Sequence, residues 1–127
     1  MKALLDTHAF LWAIAEQQKL PARVQQIYTG PNDLWLSVAS IWEATIKSKA
    51  GKLALPQPAG PYLVKELVKN NIEVLPIKLD HVLRIELLPE HHRDPFDRIL
   101  IAQSLEEDLP IITSDAMFKR YDVEVIW

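Results

Sequence analysis

Cysteine is absent from the 127 residues, so neither a disulfide framework nor a thiolate metal site can form. An excess of positive charge is missing too: 14 Lys and Arg stand against 17 Asp and Glu, for a net charge of −3 and a pI near 5.8. No global positive field therefore draws the chain to nucleic acid, and any phosphate-bearing substrate needs local bases or a bound cation. Long apolar runs are lacking. The first run, in "MKALLDTHAFLWAIAEQQK", follows a lysine as a secretory leader does. Asp6 and His8 interrupt it, however, no small-residue cleavage pattern follows, and it is too short to span a bilayer. It is expected to be part of the fold of a cytoplasmic protein with no membrane partner. Internal repeats and low-complexity segments are also absent.

What is present suits one domain covering residues 1–127, with 49% apolar and 24% charged residues and enough chain for a single core. Short β-rich runs alternate with helical patterns: "KALLD" then "THAFLWAIAEQ", "LWLSV" then "SIWEATIKSK", "IEVLPI" then "LDHVLRIELL", "PIITS" then "DAMFKR", and finally "VEVIW". That alternation predicts an α/β fold on a parallel sheet. Further helices are expected at about 21–29, 60–70 and 95–107. "GKLALPQPAGP", residues 51–61, reads as a loop too short to link domains.

In open α/β sheets the functional crevice lies outside the carboxyl ends of the strands, so polar residues there carry most weight. Asp6 follows the first strand, Glu43 sits early in the helix after the second, and Asp115 follows "IITS". Asp94 and Asp97 open the helix that leads into that last strand, three residues apart and on neighbouring positions of one face. Each also has a capping reading. Ser40 and Glu43 match the S-x-x-E capping box, Asp94 before Pro95 suits an N-cap, and Asp97 suits the positive end of the helix dipole. Asp6 and Asp115 could cap the helices they precede. The coincidence of all of them on one rim points past capping. Carboxylates held close together repel, and a divalent ion resolves the repulsion. All-oxygen ligands without cysteine favour Mg2+ or Mn2+ over zinc, and such ions serve hydrolysis of a phosphodiester.

Taken in order, "LLDTHAFLWA", "LSVASIWEATIKSKAGKLALP", "LPEHHRDPFDRILIAQS" and "IITSDAMFKRYDVEVIW" run almost end to end. The chain resembles PIN-domain ribonucleases, specifically the VapC-type toxins of toxin–antitoxin pairs. The resemblance implies a PIN-like three-layer fold with a central, mostly parallel β-sheet flanked by helices, and a metal-dependent endoribonuclease that hydrolyses RNA. It implies Asp6, Glu43 and Asp97 as catalytic metal ligands for Mg2+ or Mn2+, with Asp115 as a fourth, more variable one. Asp94 is assigned mainly to capping, with contact to the metal shell or substrate as its second role. A homodimer and a cognate VapB-type antitoxin are implied as partners.

Around this set, Thr7 and Thr113 are expected either to orient carboxylates and metal-bound waters or simply to form turns. Lys47, Arg93 and Arg98, with Lys49 and Lys52, are the candidates for RNA phosphate contacts. His91 and His92 invite a zinc reading, but adjacent histidines diverge on most backbones and no further nitrogen or sulfur ligand has suitable spacing, so a solvated loop is expected. His8 reads as a helix-surface or partly buried residue. The helix "HAFLWAIA" is apolar nearly all round, which implies burial together with a strip awaiting a partner. None of the four tryptophans is assigned to RNA, and Trp42, beside Glu43, is the one worth testing.

Two rivals stand beside this reading. One is an RNA-processing or DNA-directed nuclease of the same fold without an antitoxin. The other is a non-catalytic receiver-like signalling domain, which expects an aspartate after the third strand and a lysine after the fifth. "EVLPIK" and "VEVIW" supply neither. A phosphatase with an aspartyl nucleophile favours D-x-D after the first strand, where this chain has "DTH".

Overall fold

The computed structural model describes residues 1–127. Five strands and six helices alternate along the chain: β1 Lys2–Leu5, α1 Thr7–Ala15, α2 Ala22–Thr29, β2 Asp33–Ser37, α3 Val38–Lys49, α4 Ala59–Lys69, β3 Glu73–Leu75, α5 Leu79–Glu86, α6 Pro95–Glu107, β4 Ile111–Ile112 and β5 Val125–Ile126. Single 3-10 turns occupy Gln17–Lys19 and Ala116–Arg120. The second of these replaces the helix expected from "DAMFKR". All five predicted strands are present, and every pairing is parallel, in the order β3-β2-β1-β4-β5.

Side chains alternate across a strand, and here the alternation sorts the core into two layers. Ala3, Leu5, Leu34, Leu36, Ile112 and Ile126 join Phe10, Val24, Leu63 and Leu67 from α1, α2 and α4. Leu4, Leu75 and Ile111 face the other way, onto Leu100 and Ile101 of α6 and onto Phe118. Ile99 to Ala102 are all buried, which explains why the α6 sequence shows no polar face along that stretch. The result is the three-layer α/β architecture.

The strand order reverses direction at β1. The chain grows outward through β2 and β3, then crosses back to lay β4 on the opposite side of β1. Such a switch leaves a crevice at the carboxyl ends of β1 and β4, and residues 6 and 113 stand directly at its mouth.

The C-terminus of α3 directs the next segment back across α1. Gly51 has φ of 75°, its N–H donates to the Ser48 carbonyl at 3.1 Å, and the Lys52 N–H reaches the Lys47 carbonyl at 2.9 Å. This double bond pattern closes a helix through a left-handed residue. A Cβ at Gly51 would meet nothing within 4 Å, so only the backbone conformation opposes a side chain there. Gly51→Ala should therefore lower stability by about 1 kcal/mol in denaturant unfolding. An unchanged midpoint would refute the role assigned to the turn.

Candidate active site

Asp6 occupies the N-cap position of α1, yet its side chain makes no capping bond. Its backbone N–H continues the β1–β4 ladder to the Ile112 carbonyl at 3.0 Å, and Oδ2 accepts a 2.6 Å bond from the Thr113 hydroxyl. Thr113 Oγ1 in turn accepts the Asp115 N–H at 3.0 Å, so one hydroxyl ties together two acids from the two strand ends. Only 4% of Asp6 is exposed, and burial pushes its carboxyl above the ordinary value. The Thr113 bond and the charge of His8 oppose that rise, while Glu43 adds to it.

Glu43 comes from the second turn of α3. Ser37 caps this helix by accepting the Ala39 N–H at 3.1 Å, so the capping box expected of Ser40 and Glu43 does not form. Ser40 instead accepts a 2.8 Å bond from the Thr7 hydroxyl, pinning α1 to α3. Thr7 thus holds two helices together by its side chain. Glu43 is 4% exposed; Oε2 accepts from Lys47 Nζ at 2.6 Å, and Oε1 is buried with no hydrogen-bond partner. A buried carboxylate oxygen left without a donor is costly and calls for one. The ion pair with Glu43 is also the main cause that raises the Lys47 ammonium above its ordinary value, with Asp94 and Asp97 contributing.

The two aspartates at the start of α6 divide their roles. Asp94 Oδ1 accepts from the N–H groups of Phe96 (2.8 Å) and Asp97 (3.2 Å), with Pro95 at the first helical position, as the capping assignment requires. Asp97 caps nothing. Its carboxyl rises from 3.8 to about 7, chiefly through burial and then through the charges of Asp6 and Asp94; Glu43 adds to this and His92 opposes it.

His92 is not a solvated loop residue. Its Nε2 lies 3.1 Å from Asp97 Oδ2 and 3.0 Å from Asp115 Oδ2, and these three side chains form one compact group of ligand atoms within 4.8 Å of each other. The ring is locked in place. Nδ1 accepts the Asp94 N–H at 3.3 Å, the His92 N–H donates to the Tyr121 hydroxyl at 2.7 Å, and Phe118 packs edge-on at 5.7 Å. With Nδ1 accepting, hydrogen bonding assigns the proton of the neutral ring to Nε2, between the two carboxylates. Asp115 uses its other oxygen to accept the Met117 N–H at 2.9 Å, so it is both cap and site residue. His91 points elsewhere, edge-on to Tyr121.

Asp6, Asp97 and Glu43 are thus electrostatic neighbours, with Asp94 beside them and Asp115 joined through His92. Acids crowded to this degree, one titrating near neutrality and another with an orphan oxygen, fit a hard divalent cation.

A family model described as PIN domain matches residues 3–124. The chain belongs to the PIN domain family. Solved structures match this PIN domain over nearly its whole length at low identity. VapBC2 from Rickettsia felis bound to a DNA fragment from their promoter aligns with a TM-score of 0.74 at 15% identity, covering 99% of this chain and 98% of that one. DNA-bound VapBC from Salmonella typhimurium gives 0.73 at 15% identity, covering 99% and 97%. VapBC-5 from Mycobacterium tuberculosis gives 0.59 at 23%, covering 98% and 97%. No curated protein sequence matches the chain.

Membership of the PIN domain family removes the receiver-like reading. One sequence expectation also changes in this PIN domain. Arg98, expected among the phosphate contacts, donates instead to the carbonyls of Ile85, Pro89 and His92, each at 3.1 Å, and its side chain is 11% exposed. It braces the loop that carries His92. Lys47, another of the candidate phosphate contacts, lies at the acids, whereas Arg93, Lys49 and Lys52 are exposed. No helix is long and apolar enough to cross a membrane.

Proposed function

We propose that residues 1–127 form a single nuclease domain, a metal-dependent endoribonuclease of the VapC toxin type that acts on RNA in the cytoplasm. The observation that carries this reading is the electrostatic crowding of buried Asp6 and Glu43 with half-buried Asp97 near the sheet's switch point, with Glu43 Oε1 unpartnered and Asp97 driven to about 7. Asp6, Glu43, Asp97 and Asp115 would hold Mg2+ or Mn2+. When bound, such an ion lowers the pKa of water and stabilises charge on a phosphoryl oxygen.

The remaining work falls to the chain's own residues. Thr113 fixes the Asp6 carboxylate and the backbone of Asp115 together. Thr7 keeps α1 and α3 in register through Ser40. His92 holds Asp97 and Asp115 apart at a set spacing and keeps a proton donor between them. Lys47 neutralises Glu43, and with Glu43 engaged by a cation its ammonium would be free for a substrate phosphate. Arg93, exposed two residues before α6, is a second base for phosphate.

A cognate VapB-type antitoxin is the proposed partner. A groove of about 580 Å³ begins at Thr7 and Lys47 and runs between α1 and the 52–55 segment over Leu11, Trp12, Leu53 and Leu55. A homodimer is also proposed, for which the exposed Leu79, Leu83 and Leu87, on α5 and at its C-terminal cap, offer an apolar face. The competing RNA-processing or DNA-directed nuclease would share the site but have no such neutralising partner.

The direct test is cleavage of single-stranded RNA with Mg2+ or Mn2+, and again in excess chelator. Metal-dependent cutting is expected, and activity undiminished by chelation would overturn the mechanism.

A further inference from the structure

A glutamate and a lysine four residues apart are an ordinary pair on a helix face, where both side chains are wet and the bond is worth little. Glu43 and Lys47 on α3 depart from that pattern. The Glu43 side chain is 5% exposed and that of Lys47 is 40% exposed, so a buried carboxylate is held by an ammonium that reaches in from water. Nζ stands 2.6 Å from Oε2, and it is the one donor Glu43 has, because Oε1 is buried without a partner. Asp94 and Asp97 act on the same ammonium, and Glu43 in turn acts on Asp6 and Asp97. The outer side of Lys47 is open. It lines the mouth of the groove of about 580 Å³ beside α1, which leaves its side chain room to depart.

We propose that Lys47 is a built-in counter-ion that couples metal binding to substrate binding: it holds Glu43 until an RNA phosphate draws its ammonium away and opens the carboxylate to the divalent cation. The proposal rests on the ribonuclease reading above and names how that site is regulated. A divalent ion at Glu43 and an ammonium 2.6 Å from the same carboxylate repel each other, so the ion binds most weakly with Lys47 in place. Glu43 buried with neither cation is costlier still, so one must exchange for the other. A phosphate diester gives the displaced ammonium a new partner as the ion arrives. The lysine suits the exchange, being a point charge on a flexible four-carbon stem. Metal and phosphate therefore favour the same outward position of Lys47, and each must tighten the other's binding by one common factor. An ammonium that served only as a phosphate contact would have no effect on metal affinity in the absence of phosphate.

The experiment titrates Mn2+, followed by the EPR signal of the free ion, into the wild-type protein, Lys47→Met, Lys47→Arg and Lys65→Met. Each is measured with and without uridine 5′-monophosphate, which has no diester to cut. Methionine keeps an unbranched stem without the charge, and Lys65, exposed on α4, controls for the loss of one charge from the chain. Without nucleotide, Lys47→Met should bind Mn2+ about ten-fold more tightly than wild type. Lys47→Arg, which keeps the charge, and Lys65→Met should stay within about two-fold of wild type. The nucleotide should tighten Mn2+ about ten-fold in wild type and about two-fold or less in Lys47→Met. Because Lys47→Met leaves Glu43 buried without its donor, a second measurement uses wild type alone: the Lys47 side-chain NMR signals should move when Mg2+ and nucleotide are added together. Mn2+ affinity unchanged or weakened in folded Lys47→Met overturns the counter-ion and leaves the nuclease standing. Lys47 signals that ignore Mg2+ and nucleotide overturn it as well. If neither wild type nor Lys47→Met binds Mn2+, the metal mechanism falls and the proposal falls with it.

Discussion

Asp97→Asn is expected to abolish RNA cleavage and, in the metal-free protein, to raise stability rather than lower it. The carboxyl is pushed from 3.8 to about 7 because it is buried and because Asp6 and Asp94 stand close by. An acid whose folded value is raised contributes stability that is fully present below its unfolded value and is lost as pH rises through the folded one. Metal-free wild-type protein should therefore lose stability from about pH 4 to beyond pH 7, and the Asp97→Asn variant, whose amide cannot ionise, should flatten that slope. At pH 8 the variant should be more stable by roughly 1 to 3 kcal/mol, since each tenfold weakening of proton release corresponds to about 1.4 kcal/mol. Mg2+ or Mn2+ should reverse the order. An ion that binds only the native state adds about 2.7 kcal/mol at a hundred-fold excess over its Kd, and the variant forfeits most of that gain. Thermal melts across pH, with chelator and with each ion, check all of this. If the variant is less stable than wild type in chelator at pH 8, the acids do not repel as the geometry requires. Asp94→Asn makes the contrast sharper, because asparagine caps nearly as well as aspartate and should keep most of the activity.

The fold was legible because each strand declares its faces. Leu4 and its neighbours Ala3 and Leu5 must point to opposite sides of a parallel sheet, and helical patterns between the strands permit only crossovers. Asp6 and Asp115 were legible for the same reason, since strand ends can be read from a run of apolar residues. The division between Asp94 and Asp97 came from their spacing to "ILIAQS" in the family resemblance, and the capping half of it, Asp94 before Pro95, is what the start of α6 shows. Glu43 was singled out for its place early in the helix after the second strand; α3 starts at Val38 under a Ser37 cap, which puts Glu43 in the second turn rather than the first. His92 was not legible. Its position depends on Tyr121, 29 residues away, and on Arg98 gripping three carbonyls of the preceding segment, contacts that no local pattern records. The orphan Glu43 oxygen was equally hidden, since only packing decides which of two equivalent oxygens Lys47 reaches.

Neutralisation by the antitoxin should fail when Ala15 and Ala54 are both replaced by arginine, while RNA cleavage continues at the wild-type rate. Both alanines are exposed on the walls of the groove that leads from the acids along α1, and neither belongs to the core. An inhibitor of a nuclease must cover the site and remain bound to it. A flexible segment would achieve both by laying apolar side chains over Leu11, Trp12 and Leu55, which line the groove, while a lysine or arginine entered the carboxylates in place of metal. The groove then supplies most of the affinity, and the inserted cation supplies the inhibition. Two arginines on the walls would narrow the groove and repel that cationic segment, weakening association on the order of a hundred-fold. Asp6→Asn should separate the two contributions in the other direction, relieving toxicity while leaving the complex intact. In cells, the wild-type chain alone should arrest growth and the small neighbouring gene should restore it. The double arginine variant should arrest growth even with that gene expressed, and Asp6→Asn should not arrest growth at all. Growth restored to the double variant would show that the antitoxin binds elsewhere, and full toxicity of Asp6→Asn would remove the carboxylates from the chemistry.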